Sequence, residues 1–200
     1  MATALSTAII FTASNPKAHG ALVSELASKN LLTASPSEIV PMKTLRGLPY
    51  LQCLIKEVLR VHPPFIGLTS KTVPDGGDYL DGRFVPGGTQ IGFNFWAAIR
   101  DTGVFGDDAD VLKPERWLQA DEEKRNRMER SFECIFSLGR FTCLGKDLAI
   151  MELSKVLVEF FRRFDATVVN PLKPWDCQAM GIFLQKNAWL EVTRRQVKTV

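Results

Sequence analysis

Hydrophobic residues recur at helical spacing in two long segments of the chain. From Pro49 to Pro64 they fall at i, i+3, i+4, i+7 and i+10, which predicts an amphipathic helix that ends at Pro63-Pro64. These residues are Leu51, Leu54, Ile55, Val58 and Val61. A longer helix is predicted over about Leu144 to Phe164, and its apolar stripe needs a large partner core. The stripe consists of Leu148, Leu153, Val156, Leu157, Phe160, Phe161 and Phe164.

Three shorter helices are predicted in the first part of the chain. Ala2 to Ala13 has helical character without a capping residue ahead of it. Asn15 followed by Pro16 is an N-cap with proline at the first helical position, which predicts a helix through about Ala27. Ser35 and Pro36 are predicted to start a further short helix.

Strand patterns dominate two other regions. From Phe65 to Trp96 the glycine-rich turns and the alternation of Ile91, Phe93 and Phe95 with polar or small residues predict a small twisted sheet. GIFLQKNAWLEVTRR, near the C-terminus, predicts a hairpin that turns near Lys186-Asn187. The charged segment from Arg100 to Ser131 is predicted to wrap the exterior. The predicted fold class is mainly α with small β-sheets, α+β.

Composition narrows the class of protein. With 200 residues, 46% hydrophobic and 24% charged, the chain is long enough for one soluble globular core. A net charge of +3, with basic residues scattered among the acids, argues against a nucleic-acid partner. The N-terminal segment has neither a basic leader nor the ~18 apolar residues of a membrane span, so a cytoplasmic location is predicted for the chain as written. The cysteines form no C-x-x-C pair and are predicted to be reduced thiols.

The stretch FSLGRFTCLGKDLA places Cys143 between Gly139 and Gly145, directly before the long helix. Free N–H groups at a helix start favour a thiolate, the form that ligates metal or attacks carbon. The two glycines permit unusual dihedral angles and the close approach of a flat ligand. Two alternatives stay open: a small buried core cysteine, and a nucleophile that would need His19 or His62 as its base.

A second group of residues combines charges from distant parts of the sequence. Glu57 and Arg60 are i, i+3 neighbours on a helix and, taken alone, resemble a surface salt bridge. Arg116, within Pro114-Glu115-Arg116-Trp117, is a candidate to complete a network with Glu57 that holds irregular chain in place.

Taken together and in this order, these motifs resemble the C-terminal part of a cytochrome P-450, a haem-thiolate monooxygenase. The resemblance covers essentially all 200 residues and predicts one partial domain, 1–200, with the haem-ligand loop at 136–145. The residue pattern of VFGDDADVLKPERW is most similar to that of eukaryotic microsomal members, especially fungal ones.

The resemblance implies a role for each matching residue. Cys143 would be the proximal thiolate ligand of the iron of haem b. The other residues implied at the haem are Phe136, Gly139, Arg140, Gly145, Ala149 and Lys71. Glu57, Arg60 and Arg116 would fix the chain ahead of the cysteine loop without direct chemistry. Residues implied to line a pocket for a small hydrophobic substrate are Phe65, Ile66, Leu68, Ile182 and Phe183.

The resemblance also implies partners. Members take electrons from NADPH through a separate flavoprotein reductase, activate O2 and insert one oxygen atom into the substrate. Full-length relatives are anchored in the endoplasmic-reticulum membrane. No feature of the sequence indicates oligomerisation.

Two departures from the family pattern stand out. The family has arginine or histidine two residues before the cysteine, to bond a haem propionate, whereas this chain has Phe141 there and Arg140 one position earlier as a candidate replacement. The family's oxygen-activating helix carries an acid and a threonine, and Met1 to Ala13 matches only the segment after them. No catalytic residue is therefore assigned, and the isolated chain is not expected to hydroxylate a substrate. The alternative function is a truncated, inactive haem-binding remnant or an interaction module.

Overall fold

A computed structural model describes residues 1–33, 35 and 37–196 of the chain. Its helices are α1 (Ala2–Ser14), α2 (Pro16–Ser28), α3 (Met42–Arg46), α4 (Pro49–Val61), α5 (Phe95–Ala98), α6 (Thr102–Phe105), α7 (Glu115–Gln119), α8 (Glu122–Glu133) and α9 (Lys146–Phe161). Its strands are β1 (Lys71–Thr72), β2 (Asp78–Leu80), β3 (Arg83–Val85), β4 (Gln90–Ile91), β5 (Phe164–Val168), β6 (Asp176–Ala179), β7 (Phe183–Lys186) and β8 (Leu190–Arg194). The predicted α+β class is confirmed. Pro36, on which a predicted short helix depended, lies outside the described residues.

Local sequence signals explain where the main helices begin and end. The Asn15 side chain accepts a hydrogen bond of 3.0 Å from the N–H of Ala18, which caps α2 as predicted. Pro49 occupies the first turn of α4, and the helix stops at Val61, just before Pro63. The predicted apolar face of α4 is buried except for Val61, which is half-buried.

The core lies where α1, α2, α4 and α9 pack together. α4 contacts the other three helices, and α1 also packs on α9 and β5. The central buried residues include Leu22, Leu26, Leu54, Ile55, Leu157 and Phe161. None of the helices in the described ranges has the length and hydrophobicity needed to cross a bilayer.

The strands form separate antiparallel pairs, β1 with β4, β2 with β3, β5 with β8 and β6 with β7. The single sheet predicted for 65–96 is therefore wrong, because its strands make two independent ladders. Asp81 and Gly82 have φ angles of 49° and 72°, as the two-residue turn between β2 and β3 requires. β4 ends at Ile91, and Asn94 caps α5 in place of the predicted strand through Phe95.

The predicted C-terminal hairpin has the right turn and the wrong partners. Asn187 takes a φ of 56°, which marks a turn where one was expected. However, β7 pairs with the preceding β6, and β8 pairs with β5. Local turn chemistry cannot identify a partner strand that lies more than twenty residues earlier in the sequence.

Two further predictions need correction. α9 runs from Lys146 to Phe161, and Phe164 already belongs to β5. Its buried face contains Leu153, Leu157, Val158 and Phe161, whereas Leu148 is 54% exposed and Val156 is half-buried. The segment predicted to wrap the exterior also contributes to the core, because Phe105, Trp117 and Met128 are buried.

Candidate functional site

The cysteine loop is a tight turn held by backbone hydrogen bonds. Two short 3-10 turns, Cys134–Phe136 and Gly139–Phe141, lead into it. Ser137 and Gly139 have φ angles of 62° and 63°, in the left-handed region that favours glycine. The N–H of Cys143 donates to the carbonyl of Phe136 over 2.7 Å, which closes the loop. Cys143 therefore sits in a fixed turn immediately ahead of α9.

The two glycines of the loop have different roles. The unusual dihedral expected of both is found at Gly139, whereas Gly145 has an ordinary φ of −86° because it is the N-cap of α9. A Cβ at Gly145 would lie 3.8 Å from the sulfur of Cys143, so a larger side chain there would begin to cover the sulfur. Around Gly139 the space is open.

Cys143 is exposed, so it is not the buried core residue that one alternative described. Apolar side chains beside it in the sequence are also exposed: Leu138 by 55%, Phe141 by 50%, Leu144 by 103% and Leu148 by 54%. An exposed sulfur next to exposed apolar side chains is suited to a ligand that is itself broad and apolar.

The histidines lie in other parts of the structure. His19 contacts Asp165 and Arg195, and His62 packs against the rings of Trp175 and Phe183. Burial lowers the pKa of both imidazoles. Among the described residues, the ion-pair, hydrogen-bond and ring contacts of these histidines do not include Cys143. Within the described ranges no three His, Cys, Asp or Glu side chains gather into a metal site.

Two cations meet beside the loop. The Nζ of Lys71, on β1, lies 3.5 Å from the centroid of the Phe141 ring, and the guanidinium carbon of Arg140 lies 4.8 Å from the same centroid. A cleft of about 290 Å³ opens between the loop and the β1–β4 pair. Its lining residues are Thr69, Lys71, Ile91, Phe93, Cys134, Ser137 and Leu138.

The remaining residues predicted at the haem are Phe136 and Ala149, which lie at the two ends of the cysteine loop. The Phe136 ring packs edge-on against Phe132, with the Nζ of Lys146 5.6 Å from its centroid. The N–H of Ala149 donates to the carbonyl of Gly145, so Ala149 lies in the first turn of α9, half-buried.

Glu57, Arg60 and Arg116 form one buried network. Arg60 donates to both oxygens of the Glu57 carboxylate, from Nε over 2.9 Å and from Nη2 over 2.8 Å. Arg116 Nε donates to Oε1 of Glu57 over 2.8 Å. Glu57 and Arg60 are fully buried, so the pair is not the surface salt bridge that i, i+3 spacing alone suggests.

The two arginines also hold irregular backbone. Arg60 donates to the carbonyls of Ile99 and Ala109, and Arg116 donates to those of Phe105 and Asp108. Each guanidinium thus uses its remaining N–H groups on carbonyls that no helix or strand satisfies. Apart from the short helix α6, the segment 99–113 is held by these side-chain hydrogen bonds and by backbone turns.

Two members of this network were not predicted from the sequence. The indole N–H of Trp117 donates to Oε2 of Glu57 over 2.9 Å, and Asp108 accepts from Arg116 over 2.9 Å. Hydrogen bonds from Lys113 and Arg116 lower the pKa of the Asp108 carboxyl to about 2. Both residues lie within VFGDDADVLKPERW, the stretch that is most similar to fungal members of the family.

The residues predicted to line a substrate pocket come from two distant segments that the fold brings together. Phe65 forms an antiparallel bridge with Ile182, and the N–H of Ile66 donates to the carbonyl of Gly181 over 2.7 Å. Leu68 is 67% exposed and Ile182 is 49% exposed, so both present apolar surface. Phe183 differs, because its ring is buried 4.2 Å from that of His62.

The sequence matches one protein family and is similar to several known proteins. The Cytochrome P450 family model matches residues 1–192. Cytochrome P450 monooxygenase aba1 of Botryotinia fuckeliana is 39% identical over 197 residues, which is 98% of this chain and 38% of that protein. Cytochrome P450 monooxygenase ABA1 of Pyricularia oryzae is 39% identical over 97% of this chain and 38% of its own length.

A third relative has the name of a demethylase. Pisatin demethylase of Fusarium vanettenii is 35% identical over 174 residues, covering 87% of this chain and 32% of that protein. All three relatives are fungal, as the residue pattern of VFGDDADVLKPERW predicted. The chain spans less than two fifths of the length of each.

Proposed function

The chain belongs to the cytochrome P450 family, and from this premise we propose that it forms the haem-ligand part of a monooxygenase, with Cys143 as the axial ligand of the iron. The exposed sulfur of Cys143, set in a closed loop ahead of α9 and beside exposed apolar side chains, carries the proposal. Haem b is flat, largely apolar and bears two carboxylates, so this surface suits it in shape and chemistry.

Each residue near the loop would contribute to holding the haem. Gly139 keeps the approach to the loop open, and Gly145 keeps the sulfur uncovered. Phe136 fixes the position of Cys143 through its carbonyl, and Ala149 lies in the turn of α9 behind it. Lys71 and Arg140 supply positive charge for the haem carboxylates. A thiolate ligand would give the iron the electron density that favours O–O bond cleavage.

Glu57, Arg60 and Arg116 would act at a distance, by fixing the chain that leads to the loop. They tie 99–113 to α4, and α8 then connects this anchored segment to the first 3-10 turn at Cys134. A buried network with satisfied partners holds one geometry, which a metal ligand requires. The whole chain, 1–200, is proposed to act as one partial domain of the longer protein.

The reaction proposed for the whole protein is monooxygenation of a small hydrophobic substrate. One oxygen atom of O2 enters a C–H bond and the other leaves as water, with electrons supplied from NADPH by a flavoprotein reductase and protons from solvent. Phe65, Ile66, Leu68 and Ile182 would offer the substrate an apolar wall, with Phe183 packed behind it.

The test is spectroscopic and uses the 200-residue chain. We expect ferric haem to bind, and the reduced carbon monoxide complex to show the red-shifted Soret band that reports a thiolate ligand. Cys143→Ala is expected to abolish that band. Cys177→Ala is the matched control, because Cys177 is also an exposed free thiol but lies on β6.

Three results would contradict the assignment of Cys143 as the ligand. If Cys143→Ala keeps the red-shifted band, or if Cys177→Ala and Cys143→Ala lose it equally, Cys143 is not the ligand. A complex that never shows the band in the unmodified chain would also overturn the assignment.

A further inference from the structure

Phe141 occupies the position at which members of the family carry a cation, and its ring contacts two cations from neighbouring positions of the fold. Lys71 Nζ lies 3.5 Å from the ring centroid and the Arg140 guanidinium carbon lies 4.8 Å from it. We propose that Phe141 is a positioning residue, which holds Lys71 and Arg140 together as one receptor for the paired carboxylates of the haem. This inference rests on the proposed function.

The charge balance around the ring supports this role. Other cations near the core pair with acids: Arg116 with Glu57 and Asp108, and Lys146 with Glu133. Across the described ranges, neither Lys71 nor Arg140 forms an ion pair with a carboxylate. Two like charges brought to one ring repel each other and leave an uncompensated positive field, which an anion would neutralise.

The two cations come from separate elements, and the ring is what joins them. Lys71 lies on β1 opposite Ile91, whereas Arg140 lies in the 3-10 turn Gly139–Phe141. A long side chain such as lysine has many rotamers, and contact with an aromatic face restricts them. The negative face of the ring also offsets part of the repulsion between the cations. Phe141 thereby substitutes for the missing cation by organising two others.

The location agrees with a porphyrin whose iron is at Cys143. Lys71 lines the cleft between the loop and the β1–β4 pair, and Leu138 of the cysteine loop lines the same cleft. Phe141 is two residues from Cys143 in the sequence. Carboxylates at the edge of a ligand bound at the sulfur would therefore meet the cations that Phe141 holds.

The experiment compares a porphyrin with free carboxylates against its dimethyl ester. We expect the unmodified chain to bind ferric haem about tenfold more tightly than haem dimethyl ester, the size of effect expected for one charge-assisted contact. Lys71→Met and Arg140→Gln should each reduce this preference. Phe141→Leu should also reduce this preference for the free acid, although the variant leaves both cations in place. Phe141→Trp keeps an aromatic ring and should retain the preference.

The matched control is Phe84→Leu, since Phe84 is 56% exposed on β3 and distant in sequence from the cysteine loop. It should leave the preference unchanged. Circular dichroism of each variant checks that the fold is intact. If Phe141→Leu binds the acid and the ester with the same ratio as the unmodified chain, the positioning role is wrong.

A second measurement separates this inference from the proposed function. Metal-free protoporphyrin needs no thiolate, so its binding, followed by fluorescence, should show the same preference for the free acid. Suppose that the chain still prefers the free-acid porphyrin, but that Cys143→Ala keeps the red-shifted Soret band of the haem complex. The assignment of Cys143 as the ligand would then be wrong, and the positioning role of Phe141 would stand. If neither porphyrin binds, or if acid and ester bind equally, the positioning role is overturned.

Discussion

At the scale of single residues, the carboxylate of Glu57 depends on several hydrogen-bond donors at once. It is fully buried, and its oxygens accept hydrogen bonds from Arg60, Arg116, Trp117 and the backbone N–H of Lys113. A buried carboxylate is tolerated only when its acceptor positions are filled, because desolvation is costly. Each donor to Glu57 is therefore expected to matter for stability.

Trp117 provides a test of this point that changes no charge. Trp117→Phe removes the indole N–H from Oε2 of Glu57 and keeps an aromatic ring, so we expect the free energy of unfolding to fall by about 1–3 kcal/mol. Urea denaturation followed by circular dichroism measures it. Trp189→Phe is the control, since Trp189 is 68% exposed, and it should change the free energy little. Equal losses in the two variants would contradict the role given to the indole.

The sequence predicted Glu57, Arg60 and Arg116 as one group, and the structure brings them together. It could not predict Trp117 or Asp108, because an indole N–H and one aspartate among several have no spacing that identifies their partner. Their roles depend on where the irregular segment folds back onto α4, and hydrophobic periodicity does not describe such a segment.

At the scale of elements, the short β1–β4 pair depends on close packing of backbone at the turn that precedes β4. The N–H of Val73 donates to the carbonyl of Thr89, and that of Gly88 donates to the carbonyl of Val73. A Cβ at Gly87 would lie 2.5 Å from the carbonyl oxygen of Asp75, closer than such atoms can approach. Only glycine fits at this position without movement of the backbone.

We therefore expect Gly87→Ala to destabilise the fold by on the order of 1–3 kcal/mol, since overpacking against backbone cannot be relieved by a rotamer change. The measurement is the urea midpoint. Gly76→Ala is the matched control in the same region, where a Cβ would meet open space. An equal loss in both variants would contradict the role given to the contact with Asp75, because alanine at position 76 meets no neighbour and only restricts the unfolded chain.

Helices and strands differed in how far they could be predicted. The bounds of α2 and α4 followed from Asn15, Pro49 and Pro63, which act on residues within one or two turns. The pairing of β8 with β5 did not follow, since Leu190 and Val168 are paired although more than twenty residues separate them in the sequence. The same limit applies to the bridge between Phe65 and Ile182.

At the scale of the whole molecule, apolar side chains around the cysteine loop face outward. Leu144 is the most exposed of them, at 103%, so it contributes little to the stability of the chain by itself. If haem covers this surface, Leu144 gains its hydrophobic stabilisation only on binding.

Leu144→Gln is thus expected to weaken haem affinity by roughly tenfold and to leave the thermal midpoint of the chain without haem unchanged. A Soret titration and a thermal melt followed by circular dichroism measure the two quantities. Leu172→Gln is the control, because Leu172 is 98% exposed in the segment between β5 and β6. If both variants weaken haem binding equally, the surface beside Cys143 has no special part in it.

The contacts between α1 and β7 have a consequence for how the protein is made. The hydroxyl of Thr3 donates to the carbonyl of Phe183 over 3.0 Å, and the Gln185 amide donates to the hydroxyl of Thr7 over 2.8 Å. During synthesis α1 emerges long before β7, because Thr3 and Phe183 are 180 residues apart in the sequence. Until β7 emerges, the side of α1 that carries Thr3 and Thr7 is available to chaperones and to other nascent chains, so slowing translation would prolong its exposure rather than help it fold.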